Sequence, residues 1–271
     1  MSTSIAVVIG ATGKQGGATA NALLSRGFHV RALTRNVHSP AAIRLSDKGI
    51  EVVRGDLSHK ASLISALEGA AAAYFMTDSS IGLEGEIAQG RAFIAALQEA
   101  RVRRVVYSSA HSADRTADIG GVPHWDSKLE IEKHLKASDL KWTILRPVSF
   151  MENVPLAGVA RYMALGSFSA ALGGPYVKMQ VVLSEDIGFI AAKAIAESEV
   201  FIGQTVDIVG DDVSVADMQK AFQNVSGHNV ARAPMPRWLI MMMVPCVPSI
   251  ACGGSANSIM RLDTNLRSFS R

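Results

Sequence analysis

Ile5-Ala6-Val7-Val8-Ile9-Gly10-Ala11-Thr12-Gly13-Lys14-Gln15-Gly16-Gly17 decides the fold of this chain. The first five residues are apolar and mostly β-branched, which suits a strand buried on both faces. The glycines that follow are spaced G-x-x-G-x-x-G, and a helix-period segment, residues 17–26, opens directly behind them. Glycine permits a tight turn and lets backbone approach a bulky anion with no Cβ in the way. The new helix offers unpaired N–H groups and the positive end of its dipole, which together suit a pyrophosphate. No Gly-Lys-Ser/Thr closes the loop, so it is not a triphosphate-binding P-loop. Strand, glycine turn and helix in this order predict a dinucleotide-binding domain.

The same rhythm continues outward. Residues 30–33, 50–53, 72–76, 104–107 and 142–145 read as further strands, mostly without polar alternation. Residues 40–48, 61–68, 84–100 and 126–137 read as helices between them, several stopped by a glycine. After Pro147 the pattern changes: 152–165, 186–198 and 214–225 read as helices, 177–183 and 205–209 as strands. The expected architecture is α/β, a doubly wound parallel-sheet Rossmann domain over residues 1–150. A smaller α+β carboxyl-terminal substrate lobe, 151–271, is expected to pack on it as one structural unit.

Composition narrows the function. Of 271 residues 48% are hydrophobic and 19% charged, which excludes a disordered or collagen-like chain. The net charge is only +3, with no run of like charge, so nucleic acid is not an expected partner. Cys246 and Cys252 form neither a disulfide framework nor a ligand pattern, and no metal site is expected. The amino terminus lacks the regions of a signal peptide. The one long uncharged apolar run, 238–252, is shorter than the roughly 20 residues of a spanning helix and contains Pro245 and Pro248. A cytoplasmic protein with no integral membrane segment is the expectation.

The second strand distinguishes the dinucleotide. A site for NAD places Asp or Glu about 20 residues beyond the glycines, to accept from the ribose 2′-OH. Thr34-Arg35-Asn36 stands there, and no carboxylate precedes Asp47. A 2′-phosphate brings up to about two negative charges. Arg35 answers these with a forked pair of hydrogen bonds and Lys14 as a point charge. NADP(H) is the expected cofactor, with Gly10, Thr12, Gly13, Gln15 and Gly16 in the turn at its pyrophosphate and Thr34, Arg35 and Lys14 at its 2′-phosphate. Arg31 and Arg44 read as solvated surface. Asp56 and Leu57 fall where an adenine lies against the sheet edge; Asp56 holds the adenine amino group, caps the next helix, or does both. Thr77 ends the fourth strand on the cofactor's path, and Phe75 and Met76 read as core.

Further motifs join these: Val106-Tyr107-Ser108-Ser109, His124-Trp125-Asp126-Ser127-Lys128 and Arg146-Pro147-Val148-Ser149-Phe150-Met151-Glu152-Asn153. Together with the glycine turn, Thr34-Arg35-Asn36 and Gly55-Asp56, their order and spacing resemble the NmrA-like group of atypical short-chain dehydrogenases. The likeness covers residues 5–155, with 181–188 a further matching segment, and the carboxyl-terminal stretch does not resemble it. The resemblance implies a Rossmann domain that binds NADP(H), in a group where some members reduce small molecules and others sense the nicotinamide pool. Ordinary short-chain dehydrogenases carry Tyr-x-x-x-Lys on a helix, the lysine binding the nicotinamide ribose and lowering the tyrosine's pKa. A serine ends their fifth strand.

By that pattern Lys128 would hold the ribose, and His124 stands in the tyrosine position on the same helical face. His124 is either the general acid, its pKa lowered by the Lys128 ammonium, or a helix-start residue with no catalytic part. Ser109, or Ser112, would polarise a carbonyl or serve only the turn, and Tyr107 reads as structural. Pro147 follows the sixth strand, at the edge where ligands of open α/β folds bind. By the resemblance this backbone flanks the nicotinamide and Phe150 packs against its ring.

Two functions remain. One is an NADPH-dependent reductase of a small, hydrophobic carbonyl, quinone or enone, favoured by Lys128 and the apolar second lobe. The other is a non-catalytic NADP(H)-sensing regulator with a protein partner, favoured by the missing tyrosine. Trp238 and Met241-Met242-Met243 read as core, pocket wall or the contact of a homodimer.

Overall fold

The apolar runs become the strands of one parallel sheet. In the computed structural model, which describes residues 4–115, 122–239 and 259–261, the chain begins β1 (Ile5–Ile9), α1 (Lys14–Ser25), β2 (His29–Thr34), α2 (Pro40–Ser46) and β3 (Glu51–Arg54). It continues α3 (Lys60–Leu67), β4 (Ala70–Phe75), α4 (Leu83–Glu99), β5 (Arg104–Ser108), α5 (Pro123–Lys136) and β6 (Lys141–Pro147). Then follow β7 (Ser149–Phe150), α6 (Gly158–Leu172), β8 (Lys178–Val182), α7 (Ser184–Ala196), α8 (Ser198–Phe201) and β9 (Gln204–Val209). β10 (Asp211–Ser214), α9 (Val215–Ser226) and β11 (Ile259–Arg261) complete it. Two units result: Met1–Pro147 with Ser184–Ile208, and Val148–Leu183 with Val209–Arg271.

In the first unit seven strands pair in parallel in the order β9-β6-β5-β4-β1-β2-β3. This is the doubly wound α/β fold expected. The winding reverses between β1 and β4, and the carboxyl ends of that strand pair form the switch-point crevice where such sheets bind ligands. The glycine turn leaves β1 and Thr77 follows β4, so topology brings both to that crevice. Beneath it Ile9, Leu63, Phe75, Phe93, Leu97, Tyr107 and Ile131 are buried together. Phe75 stacks on Tyr107 with centroids 4.5 Å apart. Each such side chain contributes roughly 1.5–3 kcal/mol on burial, which makes a rigid floor.

The expected division at residue 150 lies near the observed one at Pro147, but α7, α8 and β9 return to the first unit. α7 lies against α1, where a Cβ on Gly188 would stand 2.4 Å from the Ala18 carbonyl carbon. A helix whose partner lies far back in the sequence carries no local sign of that partner.

In the second unit β7 pairs in parallel with β8, and β10 antiparallel to it. Leu165, Leu172, Met179, Val181 and Val215 form its core. The helix expected over 152–165 is instead α6, beginning beyond Pro155 and running through Gly166. Ala233 packs so close that a Cβ on Gly166 would lie 2.6 Å from its oxygen; glycine serves packing there and does not end the helix. α9 starts as its sequence predicts. Ser214 accepts from the Asp217 N–H at 3.1 Å, and the Asp217 carboxylate accepts from the Ser214 N–H at 2.9 Å. The short, polar β10 gave no sequence signal. Cys246, Cys252, Met241-Met242-Met243 and most of 238–252 lie outside the described residues. Among the described residues no helix is long and apolar enough to cross a membrane.

Candidate active site

The glycine turn forms as its spacing predicts. Gly10 takes φ +72°, and its carbonyl accepts from the Gly13 N–H at 2.9 Å. A Cβ on Gly16 would lie 2.3 Å from the Gly10 oxygen, so only glycine lets α1 start this close to β1. Gly13 caps α1 with no side chain, and the first turn holds no acid. The positive end of the helix is thus left without a carboxylate of its own. Thr12, Gly13 and Lys14 are exposed, whereas Gln15 is buried. Its Oε1 accepts from the Tyr74 phenol and its carbonyl from Thr19 Oγ1 at 3.0 Å. The Gln15 side chain therefore ties α1 to β4.

Arg35 is exposed just beyond β2. Thr34 holds the strand end: its carbonyl accepts from the Gly55 N–H at 3.0 Å and its Oγ1 from the Asn36 N–H at 3.3 Å. Arg31 is not the solvated residue expected. Its guanidinium pairs with Glu51 at 2.9 Å and donates to the Ala66 carbonyl at 2.8 Å, tying β2 to β3 and α3. Asp56 folds the turn before α3, accepting the Ser58 N–H at 2.8 Å, while Leu57 packs on the core. Asp78, in the β4–α4 loop, is held below the usual carboxylate range by hydrogen bonds from Ser80, with help from the Arg35 and Lys128 charges. Those two cations share this crevice.

The centre of the site is Lys128, a buried lysine on α5. Its Nζ lies 2.7 Å from Glu86 Oε1, 3.0 Å from Thr77 Oγ1 and 3.3 Å from the Thr77 carbonyl. Thr77 Oγ1 in turn donates to Glu86 Oε1 at 2.7 Å, and Ser127 Oγ donates to Glu86 Oε2. Burial pushes the Lys128 ammonium pKa down, and the Glu86 charge offsets part of that fall. Burial pushes the Glu86 carboxyl up, but Lys128 and the three hydrogen bonds outweigh it and hold the group below its usual range. Lys128 and Thr77, both expected at the cofactor, are thus in contact. Glu86 was missed, although one signal marks it. It occupies the stripe of α4 that buries Ile87, Gly90, Phe93, Ile94 and Leu97, where an acid is out of place unless paired.

His124 precedes Lys128 by one turn of α5, and its ring is exposed. Partial desolvation, then the Lys128 charge, lower its pKa below the usual imidazole value. Tyr107 is fully buried under the site, and burial raises its phenol pKa well above the ordinary value. Ser109 is drawn away from Lys128: its Oγ donates to Glu132 Oε1 at 2.6 Å. Glu132 takes a forked pair of bonds from Arg146, at 2.9 and 2.6 Å, and Arg146 reaches Asp114 at 2.7 Å. This cluster fixes the loop after β5. The Pro147 carbonyl accepts from the His111 N–H at 3.0 Å. Phe150 is half-buried in β7 of the second unit. Among the described residues no three His, Cys, Asp or Glu gather as a metal site.

Fold and site together define a Rossmann-type dinucleotide-binding protein of the short-chain dehydrogenase kind. A model of the NmrA-like family matches residues 2–251, and the chain belongs to that family. The NmrA-like family domain-containing oxidoreductase hkm9 of Aspergillus hancockii is 28% identical over 256 residues, 87% of this chain and 76% of that protein. Quinone oxidoreductase 2 of Escherichia coli (strain K12) is 30% identical over 239 residues, 83% of this chain and 79% of that one. The structure of the Escherichia coli NADPH-dependent quinone oxidoreductase QOR2 with NADPH matches with TM-score 0.70 and 25% identity, covering 91% of this chain and 89% of the other. Triphenylmethane reductase of Citrobacter sp., in complex with NADP(H), matches with TM-score 0.74 and 22% identity, covering 93% and 92%.

Proposed function

We propose that this chain is an NADPH-dependent oxidoreductase that reduces a small, hydrophobic carbonyl, quinone or enone. The observation that carries this reading is the buried ion pair of Lys128 and Glu86 at the switch point. A buried pair roughly breaks even against apolar side chains of similar size, so stability alone gives little reason to keep one there. A charge kept where ligands bind is a sign of work on a ligand. The Escherichia coli relative, a quinone oxidoreductase solved with NADPH, points the same way.

The residues present fit this cofactor. Gly10, Thr12, Gly13 and Gly16 would wrap the pyrophosphate at the uncapped start of α1, with Lys14 reaching the 2′-phosphate and Gln15 contributing backbone because Tyr74 takes its side chain. Thr34 and Arg35 would flank the 2′-phosphate, Asp56 and Leu57 the adenine, Thr77 and Lys128 the nicotinamide ribose, and Pro147 the nicotinamide. NADPH, when bound, supplies the hydride. His124 supplies the proton at the oxygen that gains charge, and its exposed ring can be reprotonated from water. Ser109 serves the loop in this reading, since its proton is given to Glu132.

The sign of the pH dependence follows. A general acid must be protonated, and the His124 pKa is lowered, so the rate rises on acidification through a value below the usual imidazole range. His124→Phe should keep NADPH affinity and lower turnover by about two to four orders of magnitude, removing the pH step. Equal turnover in parent and variant would remove His124 from the mechanism. One observation favours the NADP(H)-sensing reading instead: among the described residues of the first unit, neither Tyr107, buried with its pKa pushed far up, nor Tyr74, buried and bonded to Gln15, stands in for the missing tyrosine. An absence of turnover together with intact NADPH binding would select that reading.

A further inference from the structure

We propose that Glu86 is a positioning residue, which anchors the Lys128 ammonium at the switch point while the cofactor exchanges for its other partners. The inference rests on the reading of Lys128 as the residue that holds the nicotinamide ribose. An ammonium has three hydrogens, and the structure gives Nζ three acceptors, Glu86 Oε1 at 2.7 Å, Thr77 Oγ1 at 3.0 Å and the Thr77 carbonyl at 3.3 Å. A ribose hydroxyl must therefore replace one of them. The three are unequal: the contact to Glu86 is the shortest and pairs opposite charges, whereas those to Thr77 are longer and neutral. Charge-assisted bonds are about twice as strong as neutral ones, so Thr77 gives way and Glu86 stays.

Glu86 is itself immobile. Its side chain is buried, Oε1 also accepts from Thr77 Oγ1 at 2.7 Å, and Oε2 accepts from Ser127 Oγ. It sits in the first turn of α4, the end of a helix that favours negative charge. Among the described residues Glu86 is the carboxylate paired with Nζ. Asp78 is exposed in its loop and is bonded to Ser80. Tyr107 offers only its ring, 5.9 Å from Nζ, and His124 on α5 can add only positive charge. Asp126, also on α5, acts on the His124 ring. Without Glu86 the larger offset to the desolvation of Nζ is gone, and Lys128 loses its proton at a lower pH.

The test follows Lys128 by nitrogen-15 NMR of the side-chain ammonium, with Lys128→Arg assigning the signal, and NADPH affinity by calorimetry between about pH 7 and pH 10. In Glu86→Gln the Lys128 midpoint should fall by about one pH unit or more, equivalent to about 1.4 kcal/mol. NADPH affinity in that variant should fall about tenfold more than the parent's across the same range, and Glu86→Asp should restore part of it. A Lys128 midpoint unchanged in folded Glu86→Gln overturns the inference, as does an affinity loss equal at every pH. A second measurement needs no variant. In the parent, the Glu86 carboxyl carbon should move at the Lys128 midpoint, with NADPH absent or bound; a loss of that response on binding overturns the anchoring. A shifted Lys128 midpoint with NADPH affinity unmoved at every pH supports the anchor and overturns the ribose reading.

Discussion

The glycine turn behind β1 and the charged cluster behind β4 face the same crevice, yet they are encoded in different ways. The turn is made of consecutive residues, and its requirement is steric: Gly10 at φ +72° and Gly16 with no room for a Cβ. The cluster draws Thr77, Glu86, Ser127 and Lys128 from three separate segments, and its requirement is electrostatic. Backbone constraint is local and legible as a motif. Charge pairing across elements becomes visible only when the sheet brings those elements together. On the proposed reading, the turn would meet the pyrophosphate by shape and the cluster would meet the nicotinamide ribose by a balance of buried charges.

Substitutions should separate the two. The largest effect is expected at the cluster, where Lys128→Ala leaves Glu86 buried without a counter-charge and should destabilise the protein by about 3–5 kcal/mol in denaturant unfolding. Lys128→Met with Glu86→Gln removes both charges and should recover most of that loss. The pH dependence gives a sign. In the parent the Glu86 carboxyl is held below its usual range, so its contribution is present above the unfolded carboxyl pKa and is lost as pH falls through the folded one. In Lys128→Ala the carboxylate lacks its ammonium, so that variant should regain stability relative to the parent as pH falls. A single variant as stable as the parent would reduce the cluster to an ordinary surface pair.

At the turn the cost is steric and independent of pH. Gly16→Ala sets a Cβ 2.3 Å from the Gly10 oxygen, which should cost about 1–3 kcal/mol by thermal unfolding and weaken NADPH further by spoiling the turn. The smallest effect belongs to the exposed cation. Arg35→Ala should weaken NADPH about tenfold, roughly 1.4 kcal/mol, and leave NADH nearly unchanged. Calorimetric titration of both cofactors reads the difference, and equal losses for the two would move the 2′-phosphate away from Arg35.

The strands, the α1 turn and the Lys128–His124 spacing were legible because each rests on neighbours in sequence. Strand-like runs such as 5–9 and 104–107 have one use in an α/β chain, and residues four apart on a helix share a face. Three features escaped for the opposite reason. Glu86 resembles any acid at a helix start, and only its place on the apolar stripe of α4 betrays it. Ser109 stayed open between polarising a carbonyl and serving the turn because its closeness to Glu132 in space is not written in their distance along the chain. The return of α7 to the first unit depends on a glycine, Gly188, that meets α1 only after folding.

Reduction of an organic acceptor by NADPH is tested most directly by the unmutated protein with NADPH and three acceptors in turn: a quinone, an enone and an aldehyde. NADPH absorbance should fall only when an acceptor is present, at a rate that rises on mild acidification and is lost on His124→Phe, and the reduced acceptor should appear in equal amount. NADPH bound but left unoxidised with all three acceptors, over the same pH range, would contradict the oxidoreductase reading.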